Sequence, residues 1–191
     1  MAGLTAYFAT RGINAVATRE PGGTVLGNNL RAVFVDPATA LDPLAEAFIV
    51  NAARAQHVSE VIEPALRAGR WVLCDRFATA TLAYQGFGRG LDLEMLRALT
   101  AIATRGLEPD LIFLVDVTAE LSRERVAARA RASGIPADRL EREDAAFHER
   151  VRAGYVALAH ADARIVTLDG ALAPHEIRDA ACAVLEAKFA I

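Results

Sequence analysis

An acidic residue and an arginine stand directly after a short apolar run in the middle of the chain. Residues 71–74 have the composition of a buried strand, and Asp75 and Arg76 follow without a spacer. At the carboxyl end of a parallel strand, a carboxylate can lie near Mg²⁺ and an arginine fork can hold a phosphate. The pair could instead be a helix N-cap followed by a solvated arginine. The glycine-rich stretch at 86–90 favours the first interpretation, because close backbone approach to a ligand needs glycine.

A second acidic turn follows another predicted strand. Glu20 and Pro21, continued by two glycines, come after residues 13–18, which we predict to be a strand. Taken alone, this tetrapeptide is most simply an ordinary turn. Because the carboxyl ends of parallel strands meet at one edge of a sheet, we expect it to lie beside the Asp75 loop, where it could take part in a site.

One arginine interrupts the apolar face of a long predicted helix at residues 43–68. Helical spacing places Arg54 on the same face as Val50 and Val58. Such an arginine either extends its charged end to solvent along the apolar surface or reaches a ligand. The pattern alone favours the first of these interpretations.

Arginines also surround a loop that is rich in helix-breaking residues, at positions 133–138. Four precede it and two follow it: Arg123, Arg125, Arg129, Arg131, Arg139 and Arg142. This arrangement would suit a lid that closes over polyphosphate and excludes water. It would equally suit a solvated helix with ion pairs to nearby glutamates. Both interpretations remain open, and we expect these arginines to be divided between the two tasks.

Helical and strand patterns alternate along the whole chain. Strands are predicted at 13–18, 70–75, 111–116 and 164–168, with helices before and between them and a last helix at 174–188. Strands separated by helices imply parallel pairing with right-handed crossovers. We therefore predict an α/β protein with a three-layer architecture, a parallel sheet with helices on both faces. No linker interrupts the pattern, so residues 1–191 should form one domain.

The composition narrows the possible functions. The chain has 191 residues, of which 53% are hydrophobic, and its net charge is −3, which does not support general nucleic-acid binding. No run is long enough to span a membrane and no signal peptide is recognised, so we expect a cytoplasmic location without membrane contact. The four histidines lack metal-binding spacing and are interpreted as surface or core fillers. Cys74 is expected to be a buried thiol.

Taken in order, these motifs resemble bacterial thymidylate kinases over essentially the whole chain. The matching segments are Thr18–Thr24, Ala52–Arg54, Asp75–Phe77, Ala83–Gly86, Pro109–Asp110, Arg139–Glu141 and Arg150–Tyr155. Each segment alone has low specificity, whereas the ordered set is highly specific. The resemblance implies a P-loop nucleoside monophosphate kinase fold. It also implies transfer of the γ-phosphoryl group of ATP to dTMP with Mg²⁺, giving dTDP, by a homodimer.

The resemblance also assigns roles to individual residues. It implies that Arg76 holds the dTMP phosphate and that Asp75 helps to organise Mg²⁺ indirectly. Around the nucleoside, it implies that Arg54 contacts the thymine edge, Tyr84 the deoxyribose, Thr81 and Gln85 the base, and Glu20 and Pro21 the adjoining wall. The lid is expected at about 129–142, with a catalytic arginine among Arg129, Arg131 and Arg139.

Three features depart from the family pattern. The motif G-x-x-x-x-G-K-[ST] does not occur in residues 1–191, and the chain opens in a predicted helix at 2–11. We therefore expect that the first, central strand and the P-loop are absent because the chain is truncated at its N-terminus, and that the chain as given is inactive. In addition, Val50 replaces an aromatic residue expected to stack on thymine, and Ala80 replaces a serine.

Two other functions remain open at this point. The valine at position 50 would suit a kinase for another pyrimidine nucleotide or nucleoside. The missing phosphate-binding motif would suit a catalytically inactive, nucleotide-binding paralogue.

Overall fold

Nine α-helices and four β-strands alternate in the computed structural model, which describes residues 1–191. The strands are β1 (Ala15–Arg19), β2 (Trp71–Asp75), β3 (Ile112–Asp116) and β4 (Ile165–Asp169). The helices are α1 (Ala2–Thr10), α2 (Val25–Val35), α3 (Pro43–His57), α4 (Glu63–Arg67), α5 (Ala78–Thr81), α6 (Leu93–Thr104), α7 (Ala119–Ser133), α8 (Ala145–Ala161) and α9 (Pro174–Phe189). Two π-helical segments, π1 (Val58–Ile62) and π2 (Leu82–Gly88), follow α3 and α5 directly. The predicted helix at 43–68 therefore contains a π-helical segment.

The strands pair in parallel, as the alternating pattern predicts. β1 pairs with β2 in the register Ala15 to Trp71, and β3 pairs with β4 in the register Ile112 to Ile165. The two pairs form separate two-stranded sheets, and β2 and β3 are not hydrogen-bonded to each other. The expected single sheet is thus present as two halves, since no strand in residues 1–191 bridges β2 and β3.

Polar residues at the helix N-termini explain where the helices begin. The side chains of Thr24, Asp42, Asp92, Thr118 and Asp144 each accept a hydrogen bond from a backbone N–H in the first turn of the following helix. These caps satisfy N–H groups that have no partner inside the helix. Each cap bonds to an N–H only two or three residues ahead, so its effect is local in the sequence.

The π2 segment is held in place by α8. Phe147 and Val151 of α8 are buried against Ala83 of π2. A methyl group at Gly154 would lie 2.5 Å from a ring carbon of Phe87, so the two backbones can approach only because this residue is glycine. The packing fixes the position of π2, which carries two of the predicted site residues.

An ion pair connects the end of β3 to α8. Arg152 donates two hydrogen bonds of 2.8 Å to the two carboxylate oxygens of Asp116. These bonds hold the pKa of Asp116 below its ordinary value, although burial opposes the effect. The bond geometry is bidentate, which is the stronger arrangement for an arginine and a carboxylate.

This pair should make a pH-dependent contribution to stability. Because the pKa of Asp116 is lower in the folded state, the stabilisation is complete above the unfolded value of about 4 and is lost as the pH falls through the folded value. We expect the difference in unfolding free energy between the wild type and Arg152→Met to shrink between about pH 5 and pH 2. Urea denaturation at several pH values measures it. Arg97→Met, at an exposed pair with Glu94, is the control, and a constant Arg152→Met difference would contradict the assignment.

The structure also tests the expectations about membranes and cysteines. None of the helices is long and apolar enough to cross a bilayer. Cys74 and Cys182 are both free thiols, and Cys74 is partly buried in β2. Burial raises the pKa of the Cys74 thiol above its ordinary value.

Candidate active site

The strand register brings the two predicted acidic loops together. Arg19 and Asp75 are partners at the carboxyl ends of β1 and β2, and the N–H of Glu20 donates to the carbonyl oxygen of Asp75 at 2.9 Å. The bond between Glu20 and Pro21 is cis. The prediction that these loops lie side by side is confirmed, and the tetrapeptide after β1 is more than an isolated turn.

Arg54 is buried in a dense set of hydrogen bonds. Its side chain is 3% exposed, and its Nε donates to Glu20 Oε2 at 2.8 Å. The remaining bonds go to Asn51 Oδ1 at 2.8 Å, Thr81 Oγ1 at 3.0 Å and the carbonyl oxygen of Phe77 at 3.2 Å. The interpretation that Arg54 extends to solvent is therefore wrong. A guanidinium group has five N–H donors, so one remains after these four bonds.

His57 completes this buried network. The ring is fully buried, with Nδ1 2.9 Å from Glu20 Oε1 and Nε2 2.6 Å from Thr18 Oγ1. A methyl group at Gly23 would lie 2.7 Å from the ring, so the glycine-containing loop packs directly on the histidine. The interpretation of His57 as a filler is wrong, because the ring links β1, the Glu20 loop and α3. A signal existed in the sequence: Arg54 and His57 are three residues apart on one helical face.

A cavity lies between this network and π2. It encloses about 350 Å³ of empty space when its open mouth is included. It is lined by all six residues predicted to bind substrate, together with Arg76 and Val50: Glu20, Pro21, Arg54, Thr81, Tyr84 and Gln85. These residues, from three separate segments of the chain, thus converge on one cavity.

Three arginines that form no ion pair, Arg19, Arg31 and Arg76, lie near one another, and Arg76 lines the cavity. Arg76 has a left-handed backbone, with φ of 66°, and its guanidinium lies 5.0 Å from the ring centre of Tyr84. Arg31 of α2 donates to the carbonyl oxygen of Pro21 at 3.3 Å. Burial, and then the nearby charges of Arg19 and Arg76, lower the pKa of Arg31. None of these three arginines forms an ion pair, and no sequence motif had pointed to Arg19 or Arg31 as separate site residues.

The three lid arginines do not converge on a common point. Arg129 makes a bidentate pair with Glu141, with distances of 2.9 and 2.7 Å. Arg139 is half-buried, where it donates to the carbonyl oxygen of Phe34 at 2.9 Å and forms an ion pair with Glu46. Arg131 is exposed and has no side-chain hydrogen bond. Arg129 and Arg139 thus form the ion pairs expected of some of these arginines, and a role for the others in closing over polyphosphate stays a prediction.

Asp75 lies at the edge of β2 with an exposed carboxylate. It forms no ion pair, so its oxygens are free to accept a ligand. No cluster of three or more metal-binding side chains occurs in the structure. Magnesium in phosphoryl-transfer sites is commonly held by one or two carboxylates together with the substrate phosphates. A single free carboxylate beside a cationic mouth is compatible with that mode of binding.

These features together define a class of protein. The parallel strands end at a cavity that is polar and buried at its base, cationic at its mouth and flanked by a free carboxylate. This arrangement is compatible with a phosphotransferase.

Comparison with known proteins gives the family. A family profile described as "Thymidylate kinase" matches residues 1–181. The thymidylate kinase of Desulfovibrio desulfuricans is 50% identical over 178 residues, which cover 91% of this chain and 82% of that protein. The thymidylate kinase of Deinococcus radiodurans is 49% identical over 170 residues, with 88% and 80% coverage. The crystal structure of thymidylate kinase from Ehrlichia chaffeensis superposes with a TM-score of 0.73 at 29% identity, over 95% of this chain and 87% of that one.

The chain therefore belongs to the thymidylate kinase family. It is a phosphotransferase of the dTMP kinase type, with the α/β fold of the nucleoside monophosphate kinases. The resemblance found in the sequence is confirmed at the level of family, fold and enzyme class.

Proposed function

We propose that the cavity binds dTMP as the phosphoryl acceptor, with the base inside and the phosphate at the mouth. The observation that carries the proposal is the polarity of the cavity along its length. Its inner part is neutralised, because Glu20 balances Arg54, whereas Arg19, Arg31 and Arg76 form no ion pair and have the nearby carboxylates of Asp75 and Asp138 as opposite charges. A monophosphate supplies the missing negative charge, and arginine suits its geometry.

Each residue that lines the cavity has a defined task in this proposal. Arg54 has one free N–H, which donates to a carbonyl group of the thymine ring. Thr81 and Gln85 line the part of the cavity that holds the base. Tyr84 packs against the deoxyribose, which lies between the base and Arg76. Glu20 and Pro21 form the wall beside the nucleotide. Family membership supports these assignments.

Phosphoryl transfer needs positive charge at the transferring group. We propose that Arg76, assisted by Arg31, holds the dTMP phosphate. A lid arginine then approaches from 129–142 to stabilise the charge that develops on the phosphoryl oxygens. Among Arg129, Arg131 and Arg139, Arg131 is the residue without a partner to release, so it is our preferred candidate.

The phosphoryl donor is ATP, which thymidylate kinases use, and we propose Mg²⁺ as the accompanying metal. Asp75 would help to organise it indirectly, through the free carboxylate described above. When bound, the metal neutralises charge on the phosphate oxygens. Asp75 and Arg76 thus have different roles: the carboxylate of Asp75 attracts the cation, and the guanidinium of Arg76 attracts the acceptor phosphate.

We further propose that the protein is a single-domain homodimer in the cytoplasm. Three large apolar side chains, Phe48 of α3 and Met95 and Ile102 of α6, are 54%, 37% and 76% exposed. α3 and α6 pack against each other, so these side chains belong to neighbouring helices of one unit. Exposed apolar side chains of this size are typical of protein–protein contact surfaces.

Calorimetric titration of the full chain tests the substrate. Binding is a suitable readout because it isolates the acceptor site from the phosphoryl donor. We expect dTMP to bind at least about tenfold more tightly than dCMP, because cytosine presents the wrong hydrogen-bonding pattern to Arg54 and Gln85. dUMP should bind more weakly than dTMP by only a methyl contribution of about 1 kcal/mol. Equal affinity for dTMP and dCMP would contradict the proposal and support a broader pyrimidine nucleotide site.

A further inference from the structure

A buried carboxylate lies next to the cavity without lining it. Glu46 of α3 is fully buried, and every hydrogen bond to its side chain comes from a donor on another part of the chain. Gln85 Nε2 donates to Glu46 Oε2 at 3.0 Å, and Arg89 Nε donates to Oε1 at 3.1 Å. Arg139 Nη1 donates to the same oxygen, Oε1. Two arginines therefore compensate the charge of Glu46, and the remaining donor is a residue of the proposed base site.

This contact determines which way the amide of Gln85 points. A side-chain amide has a donating nitrogen and an accepting oxygen that look alike in shape, and its partners decide the orientation. A carboxylate accepts hydrogen bonds only, so it must face the nitrogen. The oxygen of Gln85 is then directed away from Glu46.

The oxygen of Gln85 is open to the cavity. Gln85 lines the cavity, and its Oε1 accepts no hydrogen bond within the protein. The buried side-chain polar atoms that lack a partner are Thr100 Oγ1 and Arg139 Nη2, and Gln85 Oε1 is not among them. Because Gln85 as a residue is only 2% exposed, the cavity is the place where this oxygen can meet a ligand.

We propose that Glu46 is a positioning residue for base selection. By holding the nitrogen of Gln85, it presents an acceptor oxygen to the base, and the pocket then requires a ring N–H at that point. Thymine and uracil carry such an N–H between two carbonyl groups, whereas cytosine carries a bare ring nitrogen beside an amino group. This inference rests on the proposed function, because it assumes that the base of a nucleotide occupies the cavity.

The residues around Glu46 keep its carboxylate in a fixed position. Arg89 bridges Glu46 and Glu143, and its guanidinium lies 4.6 Å from the ring centre of the buried Phe147. Arg139 stacks 5.3 Å from the ring centre of Phe34. A carboxylate held on two sides cannot rotate to release Gln85 without breaking ion pairs.

The test compares Glu46→Gln with the wild type by titration of the full chain with dTMP and with dCMP. The amide introduced by this substitution can face Gln85 with either its nitrogen or its oxygen, so Gln85 is free to turn over. We expect the preference for dTMP over dCMP to fall roughly tenfold or more, through weaker dTMP binding and stronger dCMP binding. Glu143→Gln is the matched control, since it removes the other carboxylate on Arg89 but does not touch Gln85. It should retain the preference within about twofold.

The outcomes separate the two proposals. A wild type without preference for dTMP would overturn the proposed function. A wild type with that preference, and a folded Glu46→Gln variant with an unchanged ratio, would overturn the role of Glu46 alone. Equal weakening of both ligands would also overturn it, because a merely structural residue has that effect.

If Glu46→Gln does not fold, two further experiments test the same inference. Glu46→Gln combined with Arg139→Gln keeps the local charge balanced, and its ligand ratio is judged in the same way. In the wild type labelled with ¹⁵N, the Nε2 protons of Gln85 should show no contact with the base protons of bound dTMP. Direct contact between them would mean that the nitrogen faces the base, which would overturn the inference.

Discussion

Replacement of Arg76 by alanine is expected to weaken dTMP binding by roughly 30- to 150-fold, equivalent to about 2–3 kcal/mol. The physical reason is the loss of charge-assisted hydrogen bonds to the phosphate at a mouth where Arg19 and Arg31 can compensate only in part. The variant should remain folded, because Arg76 forms no ion pair in this structure. The backbone at this position is left-handed, with φ of 66°. Alanine and arginine are both disfavoured in that conformation, so the substitution should add no backbone strain.

Thymidine, which lacks the phosphate, identifies the origin of the effect. The wild type should bind dTMP much more tightly than thymidine, and Arg76→Ala should remove most of that difference while thymidine binding stays unchanged. Arg67→Ala is the control for general charge, since the Arg67 side chain is 66% exposed on α4. Calorimetric titration measures all of these affinities. Unaltered dTMP affinity in Arg76→Ala would place the phosphate elsewhere.

Replacement of Glu20 by alanine is expected to lower the free energy of unfolding by about 3–5 kcal/mol. The carboxylate is buried between Arg54 and His57, with distances of 2.8 and 2.9 Å. Its removal leaves a buried guanidinium without a counter-charge and a buried ring N–H without an acceptor. Natural domains are stable by only about 5–15 kcal/mol, so this single change removes a large part of the total.

Urea denaturation followed by circular dichroism measures the change. Glu20→Gln should lose less, because its amide oxygen can still accept from Arg54. Glu186→Gln is the matched control at an exposed ion pair with Arg11, and it should change stability by less than about 1 kcal/mol. A loss below about 1 kcal/mol in Glu20→Ala would show that the network contributes little to the fold.

Local patterns explain why much of the fold and the mouth of the site could be predicted. Thr24, Asp42 and Asp144 cap helices through residues two or three positions away, so their effect is readable in a short window. Strand β2 is an apolar run that ends at Asp75, and Arg76 follows it immediately. Parallel pairing places such residues at a common edge, so their proximity to Glu20 follows from the type of sheet.

The buried hydrogen bonds around Arg54 and Glu46 could not be predicted from such local patterns. Arg54 and Glu20 are 34 residues apart, and Gln85 and Glu46 are 39 apart. On an isolated helix, Arg54 and His57 look like polar interruptions of an apolar face, and snorkelling or filling is then the simplest account. Only when α3 packs against the end of β1 does Glu20 reach both side chains.

The partners of the lid arginines could not be predicted from the sequence either. The cluster of arginines around 133–138 is evident in the sequence, but its division of labour depends on contacts across the fold. Arg129 meets Glu141 across the loop, and Arg139 reaches Phe34 and Glu46, far earlier in the chain. Composition could indicate that some arginines would be paired, and it could not indicate which.

Order and chemistry of the residues were thus sufficient to predict the family, the parallel α/β fold and six residues that line one cavity, whereas their contact with the nucleotide and the phosphate-binding role of Arg76 stay predictions. The tertiary structure decided the electrostatic arrangement: which arginines are neutralised, which are free, and which way the amide of Gln85 faces. The reason is physical. Propensity and capping act over a few residues along the chain, whereas the partner of a buried charge is chosen by packing between segments that are distant in sequence.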